Sequence, residues 1–186
     1  MRQRPRLESA VTARAARMPF PDAAPYREAA AFYRAAVSLG LLPGAVAVRW
    51  ADALIERDPA PPPALYDVSL APPGDALAVA DALAPLAGGP AGTAESPAVV
   101  RALLDLVWRD VRAGRRRLAD AVAVVHRMSG AMAVEEPLRW EMVALEDDYS
   151  LAAKGIAGDL PAVTGIVRDW LARFDGATDA LLGDGG

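Results

Sequence analysis

The chain has 186 residues, of which 53% are hydrophobic and 24% are charged, and its net charge is −4. This composition is typical of one globular domain, and the negative net charge argues against a broad basic surface for nucleic acid. Because cysteine is absent, disulfides, zinc–thiolate sites and cysteine nucleophiles are excluded. The first eighteen residues contain no apolar core of a signal peptide, and no later apolar run has the length of a membrane span, so we expect a cytoplasmic protein without a membrane segment.

Residues 1–17 are basic, with five arginines and one glutamate. Pro5 and the Met18-Pro-Phe-Pro sequence that follows are unfavourable for a helix. We interpret residues 1–17 as a disordered leader, with translation starting at Met18 as one option. An arm that binds nucleic acid or a membrane is the alternative.

From residue 22 onward, helical patterns alternate with proline and glycine. The apolar spacing predicts helices over 22–39 and 43–57, the second with Val46, Trp50 and Leu54 facing the core. Residues 59–63 are interpreted as an extended linker between helical layers, with a proline-rich ligand for an adaptor domain as the alternative. Residues 64–70 form an apolar element of undetermined type.

A helix around Leu77–Leu83 ends in the glycine-rich residues 88–92, which lack the lysine and the spacing of a phosphate-binding loop. Ser96 and Pro97 cap a central helix that reaches Arg112. Three more helices are predicted: one carrying Leu118 to Met128, one over 137–156, and one over 160–174 whose apolar sector includes Ile166 and Trp170.

No segment shows the sustained alternation of a strand, so the sequence predicts an all-α fold. We expect an irregular bundle of about seven to eight helices in a single domain. That domain covers residues 18–175, and residues 176–186 are expected to form a frayed tail.

Residues 135–148 form an acidic segment with six carboxylates and one arginine. On a helical wheel, Glu141 and Asp148 lie between two apolar stripes and are therefore expected to be partly buried. They form either a structural ion-pair site, which we favour, or the acid/base pair of a pocket. Glu146 is a candidate for contact with a basic partner. The two stripes are Leu138, Met142, Leu145 and Tyr149, and Trp140, Ala144 and Leu151.

Five arginines lie between residues 109 and 117, on both sides of Gly114. They either bind a phosphate or an acidic partner, or they neutralise Glu141 and Asp148 within the chain. Asp110 falls in the apolar sector of its helix, so it requires an arginine partner unless the last turn exposes it. The candidates for interaction with a partner are Arg112, Arg115, Arg116 and Arg117.

The single histidine, His126, lies near Asp120 and Ser129 in the sequence. No Gly-x-Ser-x-Gly motif precedes a helix, so a hydrolase triad is not predicted. Glu-x-x-His units are also absent, and we predict neither a metal site nor a cofactor.

The sequence Arg49-Trp50-Ala51-Asp52-Ala-Leu-Ile55, followed by prolines and then Leu65-Tyr66-Asp67-Val68-Ser69-Leu70, resembles a segment of small all-helical bacterial proteins. Many of these have unknown function, and some are suspected to be immunity partners of toxins. The resemblance implies an α fold and a protein partner. From the residue pattern itself, Trp50 and Ile55 belong to the core, Asp52 and Glu56 form an exposed pair, and Ser69 is an ordinary turn or helix residue.

The function that the sequence favours is a non-enzymatic protein-interaction module, because charge is unevenly distributed and no complete catalytic set is present. The partner would be another protein, and a homo-oligomer is left open. The first alternative is an enzyme or small-ligand binder with Glu141 and Asp148 in an interhelical pocket. Nucleic-acid binding through the arginines is the third and least favoured option.

Overall fold

The computed structural model describes residues 26–88 and 96–183, and within these ranges the chain is built from α-helices without strands. The all-α prediction is therefore confirmed. The predicted leader over 1–17, Met18 and most of the glycine-rich stretch lie outside the described residues. The helices are α1 (Arg27–Ser38), α2 (Gly44–Arg57), α3 (Pro63–Leu70), α4 (Ala76–Ala87), α5 (Pro97–Arg112), α6 (Leu118–Ala131), α7 (Glu136–Ala153), α8 (Leu160–Ala172) and α9 (Ala177–Leu182).

Helix α5 is the centre of the bundle and contacts α1, α6, α8 and α9. In its first turn, the Ser96 hydroxyl accepts a hydrogen bond from the Val99 amide at 3.3 Å. Pro97 has no backbone N–H, but the first amides of a helix have no partner within the helix, so the proline removes no helical hydrogen bond. Most of the apolar face of the helix is buried, while Leu106 and Val111 are partly buried, and burial of this face stabilises the core. The buried residues of that face include Val99, Leu103, Leu104 and Val107.

A glycine with positive φ ends α5 and brings two side chains of opposite charge together. Gly114 has φ 69°, its amide donates to the Val111 carbonyl at 3.1 Å, and the Arg115 amide donates to the Asp110 carbonyl at 2.9 Å. This Schellman arrangement places the residue after the glycine over the last turn of the helix. As a result, Arg115 lies beside Asp110.

Packing in α2 differs from the prediction. The fully buried residues are Gly44, Ala47 and Ala51, whereas Trp50 and Leu54 are only partly buried. Small residues form the buried face because the backbone approaches its neighbours closely: a Cβ added at Gly44 would lie 2.8 Å from the Pro73 carbonyl oxygen. The predicted residues Val46, Trp50 and Leu54 do pack against the core, but they lie beside this fully buried face and are themselves only partly buried.

Residues 63–70 form helix α3, which packs on α2. The Ser69 hydroxyl donates a hydrogen bond to the Asp52 carboxylate. Asp52 is half-buried, and the prediction that it is exposed is wrong. Ser69 is correspondingly more than an ordinary helix residue, since it links α3 to α2.

The segment after Asp175 is ordered, which corrects the prediction of a frayed tail over residues 176–183. Gly176, with φ 85°, precedes the six-residue helix α9, and Thr178 is buried. A helix this short is unstable alone. It is held by α5, because the Thr178 amide donates to the Asp105 carboxylate at 2.9 Å and the Thr178 hydroxyl donates to the Ala102 carbonyl at 3.0 Å.

Helix α8 confirms part of its predicted apolar sector. Val167, Trp170 and Leu171 are buried, but Ile166 is 59% exposed and does not join the core. Among the helices of the described ranges, none combines the length and apolar character needed to cross a membrane.

Candidate functional site

Helix α7 carries most of the acidic segment and has two different faces. Its inner face packs on α6 and α8 with Met142 and Leu145 buried and with Leu138 and Tyr149 partly buried, as predicted. Its outer face carries Trp140, which belongs to the second apolar stripe of the sequence analysis. Both faces are candidates for function.

On the inner side, a pocket of about 370 Å³ lies beside Glu141. It is bounded by the first turns of α5, the segment between α6 and α7, the start of α7 and the end of α8. Its volume is in the range of small-ligand sites. The apolar lining includes Pro97, Val100, Val134, Leu138 and Phe174, and the charged lining consists of Arg101, Glu135, Glu141 and Arg173.

Glu141 is fixed in this pocket by two donors from α8 and its end. One carboxylate oxygen, Oε2, accepts from the Trp170 indole Nε1 at 2.6 Å and from Arg173 Nη1 at 2.9 Å. The Trp170 hydrogen bond is the main cause that lowers the pKa of Glu141; burial opposes it, and Arg173 lowers the pKa further. Glu141 is therefore a carboxylate in an ion pair at neutral pH and is poorly suited to donate a proton.

Asp148 does not join Glu141. It lies two turns further along α7, is exposed, and makes no ion pair within the described part of the chain. The predicted partial burial of both carboxylates is wrong for Asp148, because the stripe of Trp140 and Leu151 faces outward instead of packing on another helix. The acid/base pair that the alternative hypothesis requires is not formed.

The arginines of residues 109–117 pair within the chain, but with aspartates rather than with Glu141 and Asp148. Asp110, only 14% exposed, lies 2.8 Å from Arg115 and 3.6 Å from Arg116. The internal pairing leaves these side chains less available to a partner than the sequence suggests. The other pairs are Arg109 with Asp105 and Asp179, Arg112 with Asp175, and Arg117 with Asp120.

Asp105 is a charged residue that sequence reasoning missed. It is fully buried, and its Oδ2 accepts from the Thr178 amide and lies 3.0 Å from Arg109 Nη2. Its Oδ1 is buried without a hydrogen-bond partner among the described residues. The sequence did contain one indication of a paired Asp105, because the spacing of Ala102, Asp105 and Arg109 places them along one face of α5.

Arg101 is the second missed residue. It is exposed at the pocket and forms no ion pair with the residues that the structure describes. Arg101 lies four residues before Asp105, and Arg109 lies four residues after it. In the structure, the Asp105 carboxylate forms its ion pair with Arg109. Spacing alone could not decide between them, because both positions satisfy the same helical rule.

The histidine region forms no catalytic triad. His126 is exposed, and the Ser129 hydroxyl donates to the His126 backbone carbonyl at 2.7 Å instead of to its ring. Asp120 pairs with Arg117. No group of side chains suited to hold a metal ion occurs in residues 26–88 and 96–183.

The outer face of α7 combines an exposed tryptophan with carboxylates. Trp140 is 65% exposed, and its indole makes a long hydrogen bond of 3.5 Å to Glu136. Glu136, Asp147 and Leu151 lie within about 60° of Trp140 around the helix. Within the described ranges, no ion pair involves Glu136 or Asp147, so this face is negative and partly apolar.

Comparisons of the chain with protein families, with curated proteins and with solved structures find no match.

Proposed function

We propose that the protein is a non-enzymatic protein-interaction module that contacts its partner through the outer face of α7. The observation that carries this proposal is the exposure of Trp140 beside Glu136 and Asp147, two carboxylates that form no ion pair with the residues that the structure describes. Tryptophan is among the residues that contribute most to protein–protein binding, since it buries a large rigid surface on contact. Trp140 is the expected centre of the interface.

The partner that fits this face is a protein with a basic surface around an apolar pocket. Glu136 and Asp147 are exposed on either side of Trp140 in the sequence and lie on the same face of α7. Attraction between this face and basic side chains would increase the association rate and the specificity of the complex. Leu151, 39% exposed, extends the apolar part of the contact.

We also propose a protein partner from the resemblance of residues 49–70 to small all-helical bacterial proteins, some of which are suspected to be immunity partners of toxins. We place the interface on α7 because Asp52 and Ser69, which belong to the resembling segment, are bonded to each other. The arginines Arg112, Arg115 and Arg117 are also outside the proposed interface, because each is paired with an aspartate. The proposal keeps the cytoplasmic location expected from the sequence.

The test is capture of the partner from native cells at low and moderate salt, with wild type compared with Trp140→Ala. We expect a stoichiometric protein in the wild-type sample, less of it at higher salt, and its loss in the variant. The matched control is Ile166→Ala, which removes a similarly exposed apolar side chain from α8 and should retain the partner.

Charge is tested separately with Glu136→Gln/Asp147→Asn, which should weaken capture without unfolding the protein. Its control, Glu28→Gln/Asp81→Asn, neutralises two exposed carboxylates on α1 and α4 and should have no effect. Capture of no specific protein, or equal recovery by Trp140→Ala and wild type, would contradict the proposed interface. Recovery that does not change with salt would remove the electrostatic role.

A further inference from the structure

The pocket beside Glu141 is separate from the outer face of α7 and has an apolar interior. Val100, Val134 and Phe174 are buried residues that contribute to its lining, and Leu138 is partly buried. Transfer of an apolar group from water to such a lining is favourable in proportion to the area removed from water. The body of a ligand in this pocket should therefore be apolar.

The charged residues of the pocket are not equivalent. Glu141 and Arg173 neutralise each other through their 2.9 Å ion pair, and the Trp170 indole also bonds to Glu141. The Arg173 guanidinium also lies over the ring of Phe174, with 5.8 Å between its central carbon and the ring centroid. Glu141, Arg173 and Trp170 therefore hold one another in place as one wall of the pocket. Arg101 and Glu135 are the remaining charged residues of the lining, and they determine which ligand charge the pocket favours.

Of these two, Arg101 has the less compensated charge. Glu135 stands at the N-cap of α7, where the positive end of the helix dipole stabilises a carboxylate. The acid four residues after Arg101 is Asp105, which is already bound to Arg109 and to the Thr178 amide. Within the described chain, Arg101 has no ion-pair partner of its own.

We propose that this pocket binds a small carboxylic acid with an apolar body, and that Arg101 binds its carboxylate. The planar guanidinium offers two parallel donors that match a carboxylate, which a lysine could not do. The apolar body lies against Val100, Leu138 and Phe174, and the pair of Glu141 and Arg173 keeps its place in the wall. The inference does not depend on the protein partner proposed above.

Isothermal titration calorimetry with three probes of one apolar body tests the inference: 4-phenylbutyrate, 4-phenylbutanol and 4-phenylbutylamine. We expect one molecule of the acid to bind, at least about tenfold more tightly than the alcohol, because a charge-assisted bond is worth more than about 1.4 kcal/mol. The amine should bind more weakly than the acid. Arg101→Gln should reduce the affinity for the acid to that for the alcohol, and Arg101→Lys should restore part of it.

Two controls separate the pocket from a general charge effect. Arg168→Gln removes another exposed arginine, outside the pocket, and should leave the affinity for the acid unchanged. Leu138→Trp narrows the pocket and should weaken all three probes, with folding checked by circular dichroism. The inference is overturned if the acid does not bind, if the alcohol or the amine binds equally well, or if Arg101→Gln binds the acid as wild type does.

Discussion

The carboxylate of Glu141 accepts a hydrogen bond of 2.6 Å from the indole of Trp170 and thereby joins α7 to α8. Trp170 is buried while Glu141 is 42% exposed, so the bond lies at the border between the core and the pocket. It satisfies an indole donor that would otherwise be buried without a partner. The same carboxylate therefore stabilises the helix pair and shapes the wall of the pocket.

The first prediction concerns the pH dependence of this contact. Because the folded state lowers the pKa of Glu141 below its ordinary value of 4.5, its ionised form stabilises the fold above that value. This contribution is lost as the pH falls through the lower pKa of the folded state. Glu141→Gln should cost about 1 kcal/mol or less at neutral pH, since solvent screens a half-exposed pair.

Urea unfolding of wild type and Glu141→Gln at several pH values measures this difference. The gap between their free energies of unfolding should narrow in acid. A gap that stays constant from neutral pH to about pH 3 would show that the ionised carboxylate has no stabilising role.

The second prediction contrasts two tryptophans. Trp170→Ala removes a buried ring and leaves a cavity, so it should lower the free energy of unfolding by about 3–5 kcal/mol. Trp140→Ala removes an exposed ring and should change it by no more than about 0.5 kcal/mol. Chemical denaturation of both variants measures the contrast; similar losses in both would mean that Trp140 is part of the core.

The third prediction concerns Asp105. Asp105→Ala leaves the buried Thr178 amide without its acceptor and removes a buried partner of Arg109, so it should cost about 3 kcal/mol or more. Asp175→Ala is the matched control, because its pair with Arg112 is about half exposed and should be worth less than about 1 kcal/mol.

Denaturation curves for the two variants, with hydrogen exchange of the α9 amides, decide the outcome. Loss of protection in α9 should accompany Asp105→Ala. If α9 remained protected in that variant, the buried carboxylate would not be what holds the helix.

The fourth prediction uses two glycines at helical positions. Alanine is normally favoured over glycine in a helix by about 1 kcal/mol, and Gly165→Ala should be stabilising by up to this amount because its Cβ meets nothing within 4 Å. Gly44→Ala should instead be destabilising by about 1–3 kcal/mol, because its Cβ would meet the Pro73 carbonyl at 2.8 Å and Val79 at 3.0 Å. Thermal unfolding of the pair checks the opposite signs; stabilisation by both would contradict the close approach of α2.

The helices with strong local signals were predictable from the sequence. Ser96 and Pro97 mark the start of α5, Gly114 marks its end, and the observed helix runs from Pro97 to Arg112. Helix α9 was not predictable in this way, because its stability comes from a contact between Thr178 and Asp105 rather than from its own sequence. Local sequence rules predict where a helix starts and ends, but they do not predict the stabilising contacts that it makes with residues distant in the sequence.

The candidate site was predicted in part. The wheel of α7 placed Glu141 at a partly buried position, and the structure gives it an ion pair, with Arg173 as the cation. The sequence did not indicate Arg101. Arg101 and Arg109 are both spaced to pair with Asp105, and only the structure shows that Arg109 is the residue that does so. The same wheel grouped Trp140 with apolar residues, but periodicity cannot tell whether a second apolar stripe meets another helix or solvent.

The buried contact between Asp105 and Thr178 also orders events during synthesis of the chain. The two residues are separated by 73 positions, so α5 leaves the ribosome well before its partner exists. Since the chain is made from the N-terminus, Asp105 has Arg109 on its own helix as a partner, but not the Thr178 amide, while α6, α7 and α8 are added. Docking of α9 then supplies the Thr178 amide as a second partner, and a nascent chain that stalls before residue 178 lacks this buried hydrogen bond.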